Sequence, residues 1–203
     1  MHGAHHDSFA AGADERRRLY VYNGGFLTQA RIRRILALSG YDIALGLPPE
    51  GGLVGVWGHA QTAHRGQAIA ERRGAGIVRI EDAFLRSVLP GRSGAPPLGL
   101  TLDPRGMHYD PAQPSDLEHL LSTHPLDDSA LLARARAAAQ QLRDAHLTKY
   151  TGFDPTAACP EPGYVLVLDQ TLDDASVRKS GADRARFLEM LVFAQESIRA
   201  NAS

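Results

Sequence analysis

Apolar positions along this chain change period repeatedly. "RLYVYNGG" (18–25) is a short apolar strand closed by Gly24 and Gly25, and "FLTQARIRRILALSG" (26–40) follows with apolar residues at helical spacing and a stop at Gly40. "GLVGVWGH" (52–59) predicts a second strand and "TAHRGQAIAERRG" (62–74) a second helix; "GIVRI" (76–80) is a third strand that delivers its chain end to Glu81 and Asp82. "PPLGLTLDPRGMHYD" (96–110) predicts a hairpin of two short strands about an Asp-Pro-Arg-Gly turn, because proline presets the turn's φ and glycine tolerates its close. "PSDLEHLL" (114–121) carries a capping box between Ser115 and Glu118, and "DSALLARARAAAQQLRDAHL" (128–147) is an alanine-rich helix. A proline-rich loop (154–163) separates it from the apolar run "YVLVL" (164–168), which predicts a strand, and a last helix spans about 182–200.

Strands alternating with helices imply a mostly parallel sheet covered on both faces. Ligands of such sheets gather at the carboxyl ends of strands, where side chains enter a crevice and helix N-termini offer free N–H groups. Three of the predicted strands end in candidate chemistry: His59 after "LVGVW", Glu81 and Asp82 after "GIVRI", and Asp169, Asp173 and Asp174 after "YVLVL".

Composition narrows the classes. The chain has 203 residues, 43% hydrophobic, enough for one substantial core. Lys plus Arg number 22 against 23 Asp plus Glu, a net charge of −1, so no global field favours nucleic acid, and an anionic ligand must be met by a local site. The single cysteine, Cys159, forms no internal disulfide, which fits a cytoplasmic chain. No apolar run approaches the roughly 20 residues that cross a bilayer. Residues 1–17, with His2, His5 and His6, read as a flexible tail, and no metal site is expected. "YNGGF" lacks the full G-x-G-x-x-G spacing, and neither a Walker A sequence nor G-x-S-x-G is present.

The acids admit two readings. Asp169, Asp173 and Asp174 serve either as turn and cap residues of a solvated loop or as part of a site, and Glu81 with Arg86 forms either a structural ion pair or part of the same site. "RIEDAFLRS" (79–87) sets a carboxylate pair beside Arg86 and Ser87. Two carboxylates flanking an anomeric carbon are what glycosyl chemistry uses, one as nucleophile and one to handle the proton, while an arginine suits an acidic sugar or a phosphate.

Five segments, in order, carry a resemblance: "VWGH" (56–59), "RIEDAFLRS", "PPLGLTLDPRGMHYD", "KY" (149–150) and "VLVLDQTLDDASV" (165–177). With them the chain resembles the capsule polysaccharide biosynthesis and export family of β-Kdo glycosyltransferases. The resemblance implies a Rossmann-like, parallel-sheet lobe of a GT-B-like glycosyltransferase over residues 18–158, followed over 159–203 by the first strand-helix unit of a second, nucleotide-sugar lobe that is truncated here. It implies retaining transfer of Kdo from the donor substrate CMP-Kdo, with no further cofactor, to a glycolipid linker of capsule polysaccharide, an activity expected to be incomplete in this chain because the donor-binding lobe is truncated. Asp174 would be the nucleophile and Glu81 the acid/base, with Asp82 as its substitute. Gln170, Ser176, Arg86 and Ser87 would hold the sugar, and His59 would line the acceptor side. Departures from the family pattern are Ala83 for glycine, His108 for an aromatic and Thr151 for asparagine. Implied partners are the sugar nucleotide, the glycolipid acceptor, a second lobe or capsule assembly proteins, and no nucleic acid. The location implied is cytoplasmic, at most peripheral at the inner membrane. The competing expectation is a non-catalytic saccharide-binding or assembly module.

Overall fold

The computed structural model describes residues 16–154, 156–171 and 174–201. Most of the tail expected over 1–17, including its three histidines, lies outside these residues, and Arg17 already opens the first strand.

A five-stranded sheet in the order β2-β1-β3-β4-β5 is the centre of the fold. It is built from β1 (Arg17–Val21), β2 (Tyr41–Ala44), β3 (Leu53–Trp57), β4 (Gly76–Asp82) and β5 (Leu100–Asp103). The first four strands are parallel, and β5 closes the edge antiparallel to β4. Side chains on alternate positions of a strand point to opposite faces, so each central strand feeds two cores. Leu19, Val21, Val78 and Ile80 pack on one face with Phe26 of α1 (Gly24–Thr28) and Ile32 and Leu36 of α2 (Ala30–Leu38). Tyr20, Val54 and Val56 pack on the other face with Ala63 and Ala70 of α3 (Ala63–Arg73). Arg72 and Arg73 lie in the last turn of α3, where cations suit the helix dipole, and Gly74 closes it at φ +60°. This is an α/β lobe of the Rossmann kind, as expected from the alternating periods.

Sequence and structure part at several elements, and the single helix predicted over 26–40 is two, α1 and α2, broken at Gln29. β2 has no counterpart in the sequence pattern: the helix stop at Gly40 is followed by only four strand residues before the glycine- and proline-rich turn, too few for a clear period. The hairpin predicted over 96–110 does not form. β5 pairs instead with β4, and the Asp103 carboxylate accepts from the backbone N–H of Arg105 (2.8 Å), Gly106 (2.9 Å) and Asp116 (2.8 Å). A buried side chain that satisfies three backbone donors supports an irregular loop where a second ladder would otherwise be required. The run "YVLVL" forms no strand, with Tyr164, Val165, Leu166 and Leu168 exposed. A strand needs a neighbour for its N–H and C=O groups, and among the described residues none lies alongside.

Beyond the sheet, the capping box at Ser115 opens α4 (Asp116–Thr123) as the sequence predicts, and the predicted alanine-rich helix is α5 (Ser129–Asp144), capped by Asp128. Two helices end the chain, α6 (Ala175–Ser180) and α7 (Arg184–Asn201).

Candidate functional site

The carboxyl ends of β3 and β4 define the site. Trp57 pairs with Ile80, and the Gly58 N–H continues the ladder to the Ile80 carbonyl at 2.8 Å, so Gly58 and Glu81 stand side by side where the strands open. A Cβ built on Gly58, whose φ is +40°, would fall 2.2 Å from Glu81 Oε2 and 2.6 Å from the Tyr109 hydroxyl. Only a residue without a side chain fits between these groups.

Period-two alternation separates the two acids of "RIED". Ile77 packs with the α3-side core, and Glu81, four residues on, shares that parity; Val78 and Ile80 pack with the α1–α2 core, whose parity Asp82 shares. Each acid accordingly has its own partners. Glu81 Oε2 accepts from the Tyr109 hydroxyl at 3.3 Å, and that hydroxyl in turn accepts from the His59 N–H at 3.2 Å. Asp82 lies 2.6 Å from Arg86 Nε, a close ion contact whose atoms are not lined up as a hydrogen bond. The pairing weighed for Glu81 with Arg86 in the sequence is therefore made by Asp82.

Arg86 and Ser87 are buried and already engaged. Arg86 Nη1 donates to Ser87 Oγ and to the Ala95 carbonyl, both at 2.8 Å, and Ser87 Oγ donates to the Leu89 carbonyl at 2.6 Å. The backbone N–H groups of Arg86 and Ser87 reach the Lys149 carbonyl at 3.1 and 3.3 Å, tying "FLRS" to "KY". These bonds brace the loop that leaves β4.

Asp174 caps α6: its Oδ1 accepts from Ser176 N–H at 2.8 Å and from Ser176 Oγ at 2.6 Å, and Gln170 Nε2 donates to the same Oγ at 3.4 Å. Gln170 also lines a cavity of about 450 Å³ with Asp169, Val177, Arg178 and Phe187. A second cavity, of about 610 Å³, opens between α6 and α7 beside Arg186, Met190 and Phe193; neither is lined by Glu81 or Asp174. Asp173 lies outside the described residues.

Electrostatics set the two carboxyl groups apart. Burial raises the Glu81 pKa, against the hydrogen bonds from Asp82 N–H and Tyr109 and the attraction of Lys149. The Ser176 hydroxyl lowers that of Asp174, helped by the Ser176 N–H, Lys149 and Arg178 against a burial penalty. Lys149 thus acts on both acids, while its ammonium rests 5.7 Å from the Tyr150 ring centroid. Burial, reinforced by the Glu81 charge, pushes the Tyr109 hydroxyl up to about 12, so it remains a donor at neutral pH.

A second cluster adjoins the first. Asp110 Oδ2 lies 2.7 Å from His59 Nε2 and 3.0 Å from Lys179 Nζ of α6. Burial lowers the His59 pKa, with Arg79 and Lys179 adding to the effect and the Asp110 carboxylate opposing it. Burial alone would raise Asp110; the Lys179 and Ala112 N–H hydrogen bonds and the His59 and Lys179 charges outweigh it and hold the carboxyl below its ordinary range. Tyr109, Asp110, Lys179 and Gly58 were not singled out in the sequence. Tyr109 and Asp110 sit inside the quoted "GMHYD", and their polar character within an expected strand was the available signal. Among the described residues no His, Cys, Asp or Glu cluster is arranged to hold a metal ion, and no helix is long and apolar enough to cross a membrane.

The fold is an α/β lobe like that of a known glycosyltransferase. Its fold matches a β-Kdo 2,4 transferase, KpsC of Thermosulfurimonas dismutans, at a TM-score of 0.77 and 31% identity over 90% of this chain and 57% of the other. The same organism's β-Kdo 2,7 transferase shares the fold at a TM-score of 0.55 and 21% identity. Residues 53–151 match the family model described as capsule polysaccharide biosynthesis protein, and the chain belongs to that family. It is 31% identical over 181 residues to the capsule polysaccharide modification protein LipA of Neisseria meningitidis serogroup B, covering 84% of this chain and 26% of LipA. It is 40% identical over 104 residues to the lipopolysaccharide-processing protein LpsZ of Rhizobium meliloti, covering 49% of this chain and 24% of LpsZ. The chain thus spans about a quarter of the length of these curated relatives.

Proposed function

We propose that the chain takes part in capsule polysaccharide biosynthesis as a retaining transferase of Kdo from CMP-Kdo to a glycolipid acceptor, with residues 18–158 as the acceptor-side lobe and 159–203 as the start of a nucleotide-sugar lobe. The observation that carries this reading is the likeness over 90% of the chain to a β-Kdo 2,4 transferase, and the opposite displacements of the Glu81 and Asp174 pKa values, with Lys149 acting on both, support the division of roles. Paired titratable groups pushed apart in this way divide the roles of base and nucleophile between them. Asp174, held ionised, attacks the anomeric carbon; the bond from that carbon to the phosphate oxygen breaks, and CMP leaves with the electron pair. An acceptor hydroxyl then attacks the same carbon, its proton passes to the Glu81 carboxylate, and the sugar–Asp174 ester bond breaks to restore the free carboxylate. Two displacements return the original configuration. A carboxylate whose pKa is raised toward the working pH is the stronger base for the second step. Lys149 suits the acid group of the sugar, Gln170 and Ser176 its hydroxyls, and His59 the acceptor side. Acceptor chemistry of this kind brings the chain to a membrane surface only peripherally, from the cytoplasmic side.

Transfer from CMP-Kdo to a glycolipid acceptor tests the reading. Glu81→Gln and Asp174→Asn should each lower the rate by about 100-fold or more, while Asp82→Asn should act only through the folded fraction. Full activity in both of the first two variants would overturn it. Acceptor binding without turnover by the wild-type chain would favour the saccharide-binding module instead.

A further inference from the structure

Helix α6 is six residues long, too short to hold itself in water, so its direction depends on what fastens it. Both of its ends are engaged. Asp174 caps the first turn, and Lys179 in the last turn places Nζ 3.0 Å from Asp110 Oδ2. Between them only Val177 is buried, an apolar contact that seats the helix without fixing its rotation.

The anchor at the other end is rigid. The Asp110 side chain is 8% exposed, its Oδ1 accepts from Ala112 N–H at 3.1 Å, and its Oδ2 also touches the His59 ring. Asp110 directly follows Tyr109, whose hydroxyl spans His59 N–H and Glu81 Oε2. A continuous path of contacts therefore runs from Glu81 through Tyr109, Asp110 and Lys179 into α6 and so to Asp174. Lys179 is the cation that α6 itself brings to the Asp110 carboxylate.

We propose that Lys179 is a positioning residue: its ammonium, clamped on Asp110, sets the direction of α6 and thereby aims Asp174 at the sugar that Glu81 serves. The clamp itself follows from the contacts above; its bearing on transfer rests on the proposed roles of Asp174 and Glu81. Lys179 touches no reacting atom and acts through the helix. An arginine at this position keeps the charge and the reach, whereas methionine keeps the stem and loses the charge.

Amide hydrogen exchange on the full chain reads the clamp directly. In Lys179→Met, exchange of residues 175–180 should speed up about tenfold or more while β3, β4 and α3 stay as in the wild type, and Lys179→Arg should return to within about twofold. Unchanged protection of α6 in Lys179→Met would overturn the proposal, and so would a uniform loss across the sheet, which would make Lys179 a residue of global stability. With CMP-Kdo as donor, Lys179→Met should lower kcat by roughly 10–100-fold with KM nearly constant, and Lys179→Arg should recover it. A loosened α6 with wild-type kcat would overturn the positioning role. Should Glu81→Gln and Asp174→Asn leave transfer intact, the proposed reaction falls by itself, and the positioning role falls with it while the exchange result still decides the clamp.

Discussion

Gly58 and Glu81 are neighbours that leave no space between them: a Cβ on the glycine would come within 2.2 Å of the carboxylate oxygen. The first residue beyond β3 is thus selected by the acid at the end of β4. Gly58→Ala should destabilise the protein by roughly 2–4 kcal/mol, combining the left-handed backbone and the overlap with Glu81 and Tyr109. Adding Glu81→Ala should recover part of that loss, leaving mainly the backbone cost. Urea unfolding of the two single variants and the double variant measures the coupling, and additive effects would show that the two residues do not meet.

The raised Glu81 pKa has a definite sign in the pH dependence of stability. A carboxyl whose pKa is higher folded than unfolded binds more protons in the native state, so its contribution is fully present below the unfolded value and is lost as pH rises through the folded one. Glu81→Gln should therefore raise Tm at pH 7 relative to the wild type and do so less at pH 4. Asp174 runs the other way: its depressed pKa gives stability above the unfolded value that is lost as pH falls. Asp174→Asn should lower Tm at pH 7. Thermal melts across pH 3–8 distinguish the two signs.

The Asp82–Arg86 contact, at 2.6 Å and largely out of water, makes Arg86 a brace of the 83–99 loop. Arg86→Met should cost about 3 kcal/mol or more, because it strands a buried carboxylate, and Asp82→Asn in the same chain should restore part of it. The readout is the denaturation midpoint. A variant of wild-type stability would leave Arg86 available for ligand.

Much of this was legible in the residue pattern, for a physical reason. β3, α3 and β4 announce themselves because burial on a sheet and on a helix imposes different periods on the same apolar residues. The family was legible too, since four of its five segments fall within the matched region 53–151. What escaped depends on side chains meeting across the chain. Glu81 and Asp82 are adjacent in sequence and look like a pair, yet the pleat gives them different partners. Asp103 turns an expected hairpin into a loop through three backbone bonds that no periodicity encodes. "YVLVL" has the composition of a strand, but composition does not supply a neighbour. Asp110 and Lys179, 69 residues apart by their numbering, meet only once the chain is folded.

In the proposed reaction Asp174 becomes bonded to the sugar while Glu81 handles the acceptor's proton. Intact-mass spectrometry of Glu81→Gln incubated with CMP-Kdo, followed by fragmentation of the labelled peptide, tests it most directly. One added Kdo residue is expected on Asp174, and none in the Glu81→Gln, Asp174→Asn double variant. Sugar carried on any other residue, or no adduct on Asp174 under conditions in which the wild type turns over, would contradict it.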